Sequence, residues 1–371
     1  MLTQQPGKNR TIPLLGSLCL FLSAIEYIIP KPLPFMRIGL ANLPLLLALD
    51  LVGGPVDFFL LAAVKVLGQG ILSGTLFSYI FLFSFAGTFS SAALMFGLRK
   101  LIGKKFIGWT GISCAGAMIS NGVQLLLAGY LIFGASMQYL APPFLASGLI
   151  TGITLGIFCE IFTCRSRWFA ARTGIIKTPP AAQTGTAAYE MPKEAAVLKK
   201  SEIRRMRRRE QWNKLFSAPL LFTAGIIPAA ALIFSPSLQV CAIIFLALCV
   251  LAWISGKKTN ILLTIFVMAG IVFFNLLVPN GKVLFETGPL RITQGSLSAG
   301  LRKALTLEGL VLLSGACVKS DLRLPGRFGL LLAESFTLLE KMRARKNKIR
   351  RGRVIEGIDN LLLEMEADSG N

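Results

Sequence analysis

The sequence predicts an all-α, polytopic membrane protein of ten transmembrane helices, six followed by four. Composition is the first reason: 54% of the 371 residues are apolar and only 15% are charged, with a mean hydropathy of +0.66. Soluble chains carry about 25% charged residues. Length is the second. Uncharged runs such as Ile261 to Val278 recur along the chain, and a helix needs roughly 20 mostly apolar residues to cross the hydrocarbon layer. The third reason is a regular alternation of basic and uncharged loops.

The predicted spans are 11–29, 38–53, 55–72, 76–98, 108–133 and 142–163, then 217–235, 237–255, 259–278 and 304–318. The first follows Lys8 and Arg10, as a signal peptide would. No small-x-small cleavage site comes after it; Glu26 and Pro30-Lys31-Pro32 do, so it reads as a retained helix. The loop Arg99 to Lys105 is strongly basic, as are the exits at Arg165 and Arg167, Gly256-Lys257-Lys258, and Lys319 to Arg327. Basic loops stay in the cytoplasm. The intervening loops Ser73-Gly74-Thr75, Gly134 to Pro143 and Ser235-Pro236-Ser237 carry no charge. Both termini are therefore expected inside. Lys31 with Arg37, and Lys282 with Arg291, break the pattern and require another explanation.

The formal net charge of +21 is concentrated in two blocks. Between the sixth and seventh spans, Lys177 to Pro192 has linker composition. Glu194 to Lys214 has helical composition and carries Arg204, Arg205, Arg207, Arg208 and Arg209. The second block runs from Lys341 to Arg353. No aromatic interleaving accompanies either, so nucleic acid is not an expected partner, whereas anionic membrane lipid is. Four segments follow: a six-span domain at 1–164, a basic linker and helix at 165–215, a four-span domain at 216–320 and a basic cytoplasmic tail at 321–371.

Several chemistries are excluded. The chain has no histidine, and its seven cysteines form no C-x-x-C pair, so neither a zinc site nor a redox motif is indicated. No G-x-x-x-x-G-K-[ST] occurs; Gly97 to Lys105 has five intervening residues and Lys105 in place of the hydroxyl. The chain has no P-loop of its own. Its five aspartates include no adjacent pair, whereas a prenyl diphosphate synthase clusters them to hold magnesium and diphosphate. No catalytic role, metal or cofactor is expected.

Ionisable and amide side chains inside spans are costly and therefore candidates for function. They are Glu26, Asn42, Asp50, Asp57, Lys65, Gln69, Asn121, Gln124 and Glu160. Asp57, Lys65 and Gln69 share one face of a helix, as do Asn121 and Gln124. Such groups either satisfy one another, Lys65 with Asp57 or Glu26 for instance, or bind a ligand. Glycine and small residues at Gly68-Gln69-Gly70, Ser73-Gly74-Thr75 and Ser84-Phe85-Ala86-Gly87 allow close helix approach. Together these features suggest a pocket for a flat, partly apolar metabolite.

Phe35 to Leu43, Lys65-Val66-Leu67-Gly68 through Ser73-Gly74-Thr75, and Ser84 to Gly87 resemble the Gx transporter family, also labelled heptaprenyl diphosphate synthase component I. That family is related to the six-helix S components of energy-coupling-factor transporters. The resemblance, over about residues 10–165, implies substrate binding beneath the loop between the first two helices. There Arg37 and Lys65 would grip an anionic group, and Asn42, Gln69, Asn121 and Gln124 would complete the site. It also implies docking through small residues of the first helix, where Cys19 and Ser23 have the spacing. Gly288 to Leu313, followed by Leu330 to Lys341, resembles a T component more weakly. Ala344-Arg345-Lys346 echoes its coupling motif, which makes Arg345 the candidate contact to cytoplasmic ATPase subunits.

The resemblance thus implies a transporter subunit in a bacterial inner membrane for a small cofactor-like or vitamin-like molecule, powered by separate ATPases. A flavin and an isoprenoid-related precursor are the candidate substrates, and import and export both stay open. The alternative is a membrane subunit associated with isoprenoid diphosphate synthesis. Reporter fusions test the topology. Those at Lys104, Lys177, Lys257 and the C-terminus should report cytoplasm, and those at Ser136 and Ser235 the outside. A cytoplasmic signal at Ser136 removes the six-span domain.

Overall fold

A computed structural model describes residues 11–28, 39–103, 105–174, 200–257, 260–287, 290–318, 325–345 and 354–367. The chain is helical almost throughout. α1 (Thr11–Ile28), α2 (Leu43–Leu51), α3 (Pro55–Ser73), α4 (Tyr79–Leu101), α5 (Trp109–Ala128) and α6 (Met137–Arg165) form the first bundle. α7 (Arg167–Arg172) and α8 (Lys200–Leu215) follow. The second bundle contains α9 (Ala218–Phe234), α10 (Leu238–Ile254), α11 (Ile261–Leu276) and α12 (Gln294–Cys317). α13 (Gly326–Ala344) and α14 (Val354–Ala367) lead away from it.

α3, α4 and the apolar stretch Trp109–Arg165 are long and apolar enough to cross a membrane, while α1, α2, α10 and α11 are shorter apolar helices. Ile150, Ile153 and Ile157 on α6, and Ile243, Leu246, Ile265 and Phe266 on α10 and α11, are exposed. Hydrocarbon, not water, suits that surface. Inside, ionisable groups are paired. Asp50 accepts from Arg99 Nε and Nη2 at 3.0 and 2.8 Å, and Arg99 lies over the Trp109 ring at 4.5 Å. Asp57 sits exposed in the first turn of α3, where the helix dipole favours an acid.

Three elements differ from the sequence reading. The second predicted span contains a helix of only nine residues, about 14 Å long. Gly39 is left-handed (φ 88°), a 3-10 turn covers Leu40–Asn42, and Pro44 sits in the first helical turn. The tenth span begins at Gln294, ten residues earlier than expected. Its early cations are answered: Arg302 donates to Ser235 O at 3.4 Å and Lys303 to Asn275 Oδ1 at 3.1 Å. The third difference is a β-hairpin, β1 (Val283–Thr287) with β2 (Leu290–Thr293), in which Glu286 faces Arg291. Their ion pair at 2.6 Å gives Arg291 a partner within its own loop.

The C-terminal carbonyls of α12 receive donors from other elements. Arg209 Nη1 reaches Gly315 O at 3.3 Å, Trp212 Nε1 reaches Ala316 O at 3.2 Å, and Lys257 Nζ reaches Val311 O at 2.6 Å. Cations there complement the helix dipole. The basic α8 is thus divided. Arg208 and Arg209 turn into the protein while Arg204 and Arg207 stay exposed.

The two bundles meet end against flank. The α3–α4 and α5–α6 turns lie at the same end of the first bundle. Of these, Phe77 N donates to Ser314 Oγ at 3.2 Å, near the C-terminus of α12. The other turn approaches the N-terminal half of α12, where a Cβ at Gly134 would lie 3.8 Å from Lys303 Nζ. Lys303 and Gly315 are about 18 Å apart along a helix axis. The end of the first bundle is therefore laid along the side of α12. Phe133, Phe144 and Ile132 pack there against Val267, Ile271 and Leu307. α13 then runs antiparallel to α1. Its start (Leu332) packs near Ile71, and its end (Met342) lies 3.7 Å from Ser17 Oγ.

Gly16 permits this approach, since a Cβ there would meet Ser335 Oγ at 2.7 Å and Val64 Cγ1 at 2.9 Å. Gly16→Val should cost about 1–3 kcal/mol by overpacking and lower the thermal unfolding midpoint in detergent. An unchanged midpoint would show that α13 is not seated on α1.

Candidate functional site

Inside the first bundle, α1 to α6 enclose one cavity, with Glu26, Asn42, Lys65, Gln69, Asn121 and Gln124 in its walls. Five of the six residues selected from the sequence therefore share a single space. The sixth, Arg37, lies outside the described residues, as does Lys31 of the same loop.

Each side chain reaches the cavity for a local reason. α3 places Lys65 and Gln69 one turn apart on its buried face. Lys65, 3% exposed, donates to Asn42 Oδ1 and to Thr88 Oγ1 at 3.3 Å. Asn42 sits at the N-terminus of α2 but makes no capping bond with its side chain; that oxygen goes to the lysine. The first turn of α2 is thereby drawn to the cavity wall, with its partial positive charge. Gln69 Nε2 donates to Ser23 Oγ on α1. Gln124 Nε2 donates to Ser120 Oγ at 2.9 Å, and Asn121 Nδ2 donates to Phe144 O on α6 at 3.1 Å.

The hydroxyls are what the sequence reading missed. Ser84, Thr88 and Ser91 of α4 line the cavity, as do Ser113 and Ser120 of α5. Their spacing, i, i+4, i+7 on α4 and i, i+7 on α5, was a legible signal of one polar face. Ser84 Oγ is buried and has no hydrogen-bond partner among the described residues. Such a group costs roughly 1–3 kcal/mol if nothing answers it. The α4 and α5 faces come close because position 87 is glycine: a Cβ there would lie 2.7 Å from Gln124 Nε2.

The cavity offers about 50 Å³ of free volume, and among the described residues no aromatic side chain lines it. Drug-sized ligands occupy roughly 300–1,000 Å³. The expected flat, partly apolar metabolite finds no ring to stack against among these described lining residues. Walls of hydroxyl, amide and ammonium, together with the buried Glu26 carboxylate, suit a small, strongly hydrogen-bonding molecule instead.

Other residues fall elsewhere. Arg345, at the end of α13, donates from Nη1 to Glu364 Oε2 at 3.4 Å and so meets the tail helix. Cys19 is buried in α1 and Ser23 faces Gln69, so the α1 surface that meets α13 is formed by Gly16 and Ser17. Glu160 accepts from Thr110 at 3.3 Å in an exposed position. Among the described residues no cluster of three or more cysteines and acids could hold a metal.

Comparison with known proteins divides the chain where the structure does. Residues 218–320, which contain α9 to α12, match a domain of unknown function (DUF8519). No curated protein matches, and no solved structure matches. Residues 15–162, which enclose the cavity from α1 to α6, match the family described as heptaprenyl diphosphate synthase component I.

Proposed function

We propose that this chain is the membrane subunit of an energy-coupling-factor-type transporter. The first bundle would bind a small polar molecule, the second would couple it to separate ATPase subunits, and the chain would lie in a bacterial inner membrane with both termini inside. The polar cavity carries the reading. Buried hydroxyl, amide and ammonium groups inside a membrane bundle are costly to maintain and are repaid when a ligand completes their hydrogen bonds.

Lys65 and the first turn of α2 favour an anionic group on that ligand, and Arg37, between α1 and α2 in sequence, would add a bidentate grip. A flavin and a prenyl chain both exceed the cavity in this conformation. The contact of bundle end with helix flank supports a second step. A bundle whose axis crosses α12 must turn to stand along the membrane normal, which gives the two halves distinct arrangements for alternating access. Energy would come in trans, because the sequence has no P-loop.

The matched family's description favours a second reading, a membrane component that assembles with a second component of a heptaprenyl diphosphate synthase. Purification in mild detergent separates the two. Co-purifying ATPase subunits support transport, whereas a soluble, aspartate-rich synthase supports the alternative and overturns ours.

Site variants give an independent test, with mass spectrometry of the retained small molecule as the measurement. Lys65→Met and Ser84→Ala should each reduce retention; Ser84→Ala should preserve the unfolding midpoint, whereas Lys65→Met should also lower it by leaving Asn42 Oδ1 unanswered. Arg37→Lys should weaken binding by about 1–3 kcal/mol, the scale of a hydrogen bond to a charged group. Wild-type retention in all three sinks the site assignment. A lower midpoint in Lys65→Met without ligand loss makes the lysine a structural partner only.

A further inference from the structure

The last described helix, α14, does not trail from the protein. Ile358, Leu361, Leu362 and Met365 are buried in the same core as Leu15 and Leu18 of α1 and Trp168 of α7. Two of its acidic side chains, Asp359 and Glu366, reach α7 and its N-cap, and a third, Glu364, reaches the end of α13. Asp359, 4% exposed, accepts from Ser166 Oγ at 2.5 Å, from Trp168 N at 2.9 Å and from Arg167 N at 3.3 Å. Its Oδ2 also lies 3.5 Å from Arg167 Nε. Glu366 accepts from Trp168 Nε1 at 2.8 Å and pairs with Arg172 at 2.8 Å. Arg172 in turn donates to Thr11 Oγ1 at the start of α1 at 3.1 Å. Glu364 meets Arg345 at the end of α13.

We infer that α14 is a clamp that holds the first bundle on α13, so that the two membrane halves of this chain are a dedicated pair which does not exchange. The surface it grips, formed by α7, the start of α1 and the end of α13, is matched to an acidic amphipathic helix with carboxylates at positions 359, 364 and 366. Three features support this. The α1–α13 seam uses small side chains, Gly16 against Ser335, and such a seam gives close contact with few specific bonds. Residues 175–199 separate α7 from α8 in sequence, so the two halves are not joined by a short covalent link. α14 alone contributes charged hydrogen bonds to both sides of the seam at once, and these are stronger than neutral ones. The inference is independent of what the cavity binds.

The test uses the full-length chain with a protease site placed in 178–188. Purified protein is cleaved in detergent and the two fragments are followed by size-exclusion chromatography over time. With the native tail they should stay together. Asp359→Asn with Glu366→Gln preserves side-chain shape but removes the charged acceptors. It should speed fragment separation on the order of 10–100-fold, the effect expected for lost charged hydrogen bonds. Glu366→Gln alone should give a smaller change of the same sign. The uncleaved variants should elute as the uncleaved wild type does, which separates clamp loss from misfolding. If the double variant does not assemble uncleaved, Glu366→Gln decides the matter. Equal separation rates in wild type and variants, or rapid separation of the cleaved wild type, overturn the clamp.

Discussion

A lysine ammonium enclosed by a membrane bundle must be answered by the protein, because neither water nor lipid can solvate it there, and the first bundle is arranged around that requirement. Lys65 takes the side-chain oxygen of Asn42, which would otherwise cap its own helix. That demand helps to fix where α2 begins and keeps it short. It also selects Thr88 on α4, and the hydroxyl face of α4 in turn meets the amide face of α5 across Gly87. Replacing the lysine by an apolar side chain would remove the reason for most of these polar groups. Their persistence in a bundle that could have been packed with leucine points to a role beyond stability.

The same pressure, that buried polar groups find partners, organises the joint between the halves. α12 ends with carbonyls that no helical N–H can answer; Arg209 and Trp212 of α8 reach two of them, and Lys257 reaches Val311 O a turn earlier. The α3–α4 turn also rests at that point, through Phe77 N and Ser314. At the other contact, Asn275 donates to Ile132 O at 3.3 Å while its oxygen accepts from Lys303. Few polar bonds and an apolar patch join the first bundle's end to α12. A joint of this kind can part and reform at modest cost, which the proposed reorientation needs.

Apolar runs made the helices legible, although of the ten expected spans only α3, α4 and the stretch Trp109–Arg165 are long and apolar enough to cross a membrane as unbroken helix. The cavity residues at amide and ammonium positions were legible because such groups are rare in spans and stood out individually. Ser84, Thr88 and Ser113 did not, because serine and threonine are common in membrane helices as backbone-bonded packing residues. Only their register on α4 and α5 gave a signal. The early start of α12 was hidden by Arg302 and Lys303, which read as a loop until Ser235 and Asn275 supply their partners. The hairpin before it was hidden in a stretch read only by its charge. The role of α14 could not be read from local pattern at all. Its carboxylates resemble a solvated helix face in sequence, and the partners of Asp359 and Glu366 lie almost 200 residues earlier.

The description attached to the matched family and the chemistry of the cavity point in different directions, and physical chemistry decides how each is weighed. A prenyl diphosphate presents a long apolar chain and a multiply charged head that requires magnesium. No acidic cluster for a metal occurs among the described residues, and the cavity walls are dominated by groups that would lose hydrogen bonds to a hydrocarbon chain. An assembly role beside a soluble synthase needs no such cavity. A solute carrier does, because a polar molecule crosses a bilayer only where hydroxyls and amides replace its water. In the proposed transporter the first bundle would supply that replacement, and the second would provide a flank against which it turns.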